Sequence, residues 1–110
     1  MQRGDIFLVN LDPVIGSEVG KIRPAVVLQN DLASRTSPTV TMIPISSSVA
    51  RVYPFQVRIP AGEGGLPRES KALCEQIRTL SKDRLRERLG ALTPERMQEI
   101  RAALDRHLWF

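Results

Sequence analysis

Cysteine and histidine are nearly missing from this chain of 110 residues, which has one of each, Cys74 and His107. One thiol cannot form an internal disulfide, and a single Cys with a single His cannot build the clusters that hold structural zinc. No apolar run approaches the ~18 residues of a membrane-spanning helix. P-loop, GxGxxG and HExxH patterns are absent, and no serine sits in a G-x-S-x-G elbow. There is no internal repeat and no low-complexity stretch. The opening "MQRGDIFLVN" places the acid Asp5 and a strand-like pattern where a signal peptide would carry its apolar region, so a cytoplasmic protein is expected. The length sets the expectation of one domain, over residues 1–110, with a modest core.

Lysine is scarce as well. Only Lys21, Lys71 and Lys82 interrupt an otherwise arginine-only set among the 16 basic residues, and the net charge is +4. Residues 1–50 are balanced, with Arg3, Lys21, Arg23 and Arg35 against Asp5, Asp12, Glu18 and Asp31, so the excess lies in residues 51–110. Arginine offers a forked, permanently charged donor set that suits phosphates and a flat face that stacks on bases. A polyanion such as RNA and a merely solvated basic surface both fit that charge.

What is present reads as short strands followed by one helix. "DIFLVNL" (Asp5–Leu11) is apolar nearly throughout, and "LDPVIGSEVGKIR" after it is a loop punctuated by Pro13, Gly16 and Gly20. "PAVVLQ" (Pro24–Gln29) and "TVTMIPI" (Thr39–Ile45) read as buried strands, separated by a turn or short helical piece over Asn30–Pro38. "SSSVARVYP" is a second loop. "FQVRI" (Phe55–Ile59) alternates with period two, and "KALCEQIRTL" (Lys71–Leu80) reads as a further strand, bent midway. Thr93 as N-cap, Pro94 at the first helical position and apolar Met97, Ile100, Leu104 and Leu108 predict a helix over Pro94–Leu108. The closing aromatics Trp109 and Phe110 are expected to pack, against the core or across a dimer interface.

Three residues stand out by position. Pro24 biases Arg23 towards extended backbone, so a rigid strand aims its guanidinium. That group can clamp a phosphate bidentately or pair with Asp5 or Asp12. Glu18, between Gly16 and Gly20, is either a carboxylate on a mobile loop that takes a proton or reads a base, or a solvated acid. Ser46 follows a strand end, where a hydroxyl either binds a phosphate oxygen or caps a turn, and Ser47 and Ser48 are its alternates. His107 lies in the last turn of the helix, where a cation suits the dipole.

Taken together, "RGDIFLVNLDPVIGSEVGKIRPAVVLQND", "SPTVTMIPIS", "YPFQVRI" and "CEQIRTLSKDRL" resemble the MazF/PemK family of toxin endoribonucleases from Arg3 to about Leu92. The resemblance implies a mainly β fold with a C-terminal helix, an SH3-like small barrel acting as a homodimer. It implies cleavage of single-stranded RNA, usually mRNA, within short motifs, without a metal ion or other cofactor. It also implies a cognate MazE-like antitoxin whose acidic and apolar C-terminal tail covers the RNA groove. Carried over by residue, the catalytic arginine falls on Arg23, the catalytic hydroxyl on Ser46 (the family commonly has threonine) and the loop glutamate on Glu18. Lys21, Gln76 and Arg78 fall among the RNA contacts. Two alternatives carry different requirements. A gyrase poison of the CcdB type shares the fold and would lean on Trp109 and Phe110, while a non-catalytic RNA-binding barrel would use Arg23 only as an anchor.

Overall fold

In the computed structural model, which describes residues 1–109, the elements run β1 (Asp5–Asn10), β2 (Ile22–Val27), α1 (Asp31–Thr36), β3 (Thr39–Ser46), β4 (Gln56–Ile59), β5 (Ser70–Leu73), β6 (Arg78–Ser81), β7 (Leu85–Ala91) and α2 (Pro94–Leu108). All strand pairings are antiparallel. Their order is β4-β5-β3-β2-β1-β7, with β6 also on β3. This is the expected mainly β architecture with a C-terminal helix, a small barrel-like sheet whose end strands β4 and β7 stay unpaired with each other.

One edge of β3 carries two strands in succession. Thr39–Met42 pair with β6 and Ile45–Ser46 pair with β5. Cys74–Gln76 form the 3₁₀ turn between them, which is the bend in the segment Lys71–Leu80. The strands at the middle of the sheet bury both faces, which is why they read as continuous apolar runs. Val26, Ile43 and Ile45 enter one cluster with Ile6, Ile59 and Ile100. Their neighbours Ala25, Val27 and Met42 enter a second with Val9, Leu11 and Leu80.

Helix α2 spans the range read from the sequence, and Ile100 and Ala103 seal the first cluster. Thr93 caps it by accepting from the Arg96 backbone N–H at 3.1 Å. The Arg96 guanidinium ties the helix to the turn at Glu63 (3.0 Å) and to Glu99 (2.9 Å). That turn rests directly on β7: a Cβ built on Gly65 would stand 2.1 Å from the Leu89 carbonyl oxygen, so no side chain fits there.

Two features depart from the sequence reading. Strand β7 carries Arg86, Glu87 and Arg88 on a mostly exposed sheet edge, and these charges hide it from any hydrophobic pattern. Trp109 is 83% exposed, so it does not pack against the core of its own chain, and Phe110 lies outside the described residues.

Candidate active site

Strand register brings two of the three singled-out residues together. Strands β2 and β3 pair through Ala25↔Pro44, Val26↔Ile43 and Val27↔Met42. Extending that register by two residues sets Arg23 opposite Ser46. Directly opposed residues share a face of the sheet, here the face of Ala25, Val27 and Met42. Arg78, opposite Met42 on β6, joins them. The second cluster therefore ends in a polar rim containing Arg23, Ser46 and Arg78.

Among the described residues the Arg23 guanidinium has no carboxylate partner. Its Nε donates to the Gly20 carbonyl at 3.3 Å, and no other hydrogen bond of its side chain occurs among the described residues. Asp5 is taken by Arg88 at 3.2 Å, and Asp12 accepts from the Lys21 backbone N–H at 2.8 Å. The ion-pair alternative for Arg23 is thereby removed, and most of its donor fork is free. The Ser46 Oγ accepts from the Ser48 backbone N–H at 3.1 Å, as a turn cap does. That bond fixes the oxygen and leaves its proton free to donate.

The loop between β1 and β2 is seated by a few specific contacts. Gly20 passes so close to Asp12 and Val14 that a Cβ would lie 2.5 Å from one and 2.7 Å from the other. The Val19 backbone N–H donates to Gln76 Oε1 at 2.8 Å, and the Ile15 N–H to Glu18 Oε1 at 2.8 Å. Arg78 donates to the Leu11 carbonyl at 3.3 Å, and Arg84 donates to those of Asn10 and Asp12. Under this loop opens a cleft of about 500 Å³ lined by Ser17, Glu18, Glu75, Gln76, Ile77 and Arg78. Glu18, Gln76 and Arg78 thus share one cleft, joined to Arg23 through the Val19–Gly20 backbone. Lys21 is exposed and does not line it. Its own backbone instead anchors the loop end, in a left-handed conformation with φ 67°.

Sequence reasoning missed two kinds of residue here. Lys71 stands opposite Ser46 on β5, and Arg58 opposite Lys71 on β4. Only strand pairing reveals them. Glu75 Oε2 accepts from Gln56 Nε2 at 2.7 Å, while its Oε1 is buried without a partner. Beside it, burial and then the Glu75 charge push the Cys74 thiol up to about 12, so it is no nucleophile.

A family model described as "PemK-like, MazF-like toxin of type II toxin-antitoxin system" matches residues 2–108. The Endoribonuclease MazF of Staphylococcus saprophyticus is 43% identical over 106 residues, which are 96% of this chain and 88% of that one. The crystal structure of MazF from Deinococcus radiodurans superposes with a TM-score of 0.86 at 28% identity, covering 100% of this chain and 97% of that one. A MazE–MazF crystal structure from the same organism gives 0.78 at 28% identity, covering 98% and 95%.

Proposed function

The chain belongs to the PemK-like, MazF-like toxins of type II toxin–antitoxin systems, and from that premise we propose that it is the toxin endoribonuclease of such a system, cutting single-stranded RNA, chiefly mRNA, within a short motif. What supports this reading is the β2–β3 register, which continued two residues past Ala25↔Pro44 sets Arg23 opposite Ser46, together with a guanidinium that meets no carboxylate among the described residues. The relative at 43% identity is named an endoribonuclease, which favours RNA cleavage over gyrase poisoning.

The substrate supplies the nucleophile. The ribose 2′-OH attacks the adjacent phosphorus, the bond to the 5′ oxygen breaks, and a 2′,3′-cyclic phosphate and a 5′-OH remain. Negative charge grows on the phosphoryl oxygens, where the Arg23 fork and the Ser46 hydroxyl donate. Holding the 2′-OH in line with the leaving oxygen removes much of the barrier. Arginine, with a pKa above ~12, is a poor base. Glu18 is the better one because a carboxylate can take up the proton, and its Oε2 accepts no hydrogen bond among the described residues while the Ile15 N–H holds Oε1. Arg23 or water serves the leaving oxygen. Serine lacks the methyl that restricts χ1 in threonine, and the Ser48 N–H provides that restraint here instead. Lys21, Gln76 and Arg78 contact the RNA, Gln76 by exchanging its bond to Val19.

This reading makes residues 1–110 one toxin domain that acts in the cytoplasm as a homodimer. No helix among the described residues is long and apolar enough to cross a membrane. A MazE-like antitoxin neutralises it, laying an acidic and apolar C-terminal tail over the same groove.

The test is cleavage of mixed RNA in excess EDTA by wild type and Arg23→Ala, with the new ends mapped. Wild type is expected to cut at one short motif, leaving cyclic phosphate and 5′-OH. Arg23→Ala should lose about 10²–10³ in rate, the usual cost of one transition-state donor. A folded, antitoxin-free wild type that cuts none of the RNA would overturn the reading.

A further inference from the structure

Read across the sheet rather than along the chain, the rim residues form one row. Arg58 on β4 faces Lys71 on β5, Lys71 faces Ser46 on β3, and Ser46 faces Arg23 on β2 in the extended β2–β3 register. Opposed residues lie on one face, so these four side chains line the same side of the sheet. The alternation confirms it, since Val57, Ile59 and Ala72 turn to the first cluster while Arg58 and Lys71 turn away from it. Neighbouring strands are ~4.8 Å apart. The row therefore carries positive charge about 15 Å across the sheet, beginning at the free guanidinium and passing the hydroxyl.

We propose that this row is a track for the RNA backbone, in which Lys71 and Arg58 bind phosphates on one side of the cut. The proposal rests on the RNA-cleaving reading and extends it to residues outside the cleft. Two further observations support it. Among the described residues Arg58 is held by Glu69 alone, at 3.1 Å with both side chains half exposed, a weak rim pair that a phosphate can replace. Lys71 Nζ donates to the Arg51 carbonyl at 2.7 Å. Arg51 in turn lies 5.7 Å over the Tyr53 ring, which stacks on Phe55 at 5.3 Å. Cations beside an exposed aromatic and guanidinium surface are what a single strand uses, with phosphates on the charges and bases on the flat groups.

The test uses the mapped motif as an oligonucleotide with a 2′-deoxy sugar at the cut position, unextended or lengthened on either side. Affinity is measured against salt for wild type, Lys71→Gln, Arg58→Gln, the double variant and Lys71→Arg. Wild type should gain affinity from extension on one side only. Each single Gln variant should lower the slope of log affinity against log salt by about 0.7, the counterion release of one single-strand phosphate contact, and the double variant by about 1.4. Lys71→Arg should keep the wild-type slope. If wild type cuts RNA and the folded double variant keeps both the slope and the one-sided gain, the track is wrong and the cleavage reading stands. If wild type neither cuts nor binds RNA, the cleavage reading fails and the track fails with it.

Discussion

Cys74 shows what burial does to a single side chain. It is fully buried in the first cluster, and its thiol is raised from 9.0 to about 12 by desolvation and then by Glu75. The folded state holds the proton where the unfolded chain has released it. Stability from this group is intact below pH ~9 and falls as pH rises from there towards ~12. Wild type should therefore lose more stability than Cys74→Ala over that range in denaturant unfolding followed by circular dichroism. Equal alkaline slopes would show the thiol to be unshifted. Legibility at this scale was uneven. Arg23, Ser46 and Glu18 stand out as candidates in the sequence because glycine, proline and strand ends mark them locally. That Arg23 escapes Asp5 and Asp12 was not readable, because Arg88 and the Lys21 backbone decide it from other parts of the chain. Lys71 and Arg58 carry no local mark at all.

Elements were legible in proportion to how much of their own stability they carry in sequence. Helix α2 contains its start signal, its proline and its apolar stripe, so its range could be read directly. Strand β7 is held by pairing with β1, through Asp5↔Ala91 and Ile6↔Gly90, and its charged residues say nothing of that. The bend between β5 and β6 follows from β3 receiving two strands on one edge. The cap of α2 gives a direct test. Thr93→Ala removes the acceptor for the Arg96 N–H, a loss of about 1 kcal/mol, and at this chain length about 4 °C in Tm. Thr93→Ser should restore most of it. If Thr93→Ala melts with wild type, the cap contributes nothing and α2 is held by its core packing and the Arg96–Glu63 pair.

At the scale of the whole molecule, the end of α2 carries an exposed aromatic that the chain's own core does not explain. Trp109 is 83% exposed, and Leu108 before it is 54% exposed. Beside them, Phe55 packs on His107 at 6.0 Å between ring centroids. Apolar side chains gathered at one helix end mark an interaction surface more often than solvent-facing skin, and the proposed homodimer supplies a second copy to cover it. Trp109 is the only tryptophan, so its emission reports this surface alone. At high dilution the emission should be that of a water-exposed indole. It should move to the blue as concentration rises, with the same midpoint as the doubling of mass in sedimentation. Mass that doubles while the emission stays fixed would place the dimer interface away from α2 and leave this end open. The same titration on Trp109→Ala, followed by mass alone, then separates covering from holding. A weakened dimer makes the indole part of the interface energy, and an unchanged one makes it a bystander at the rim.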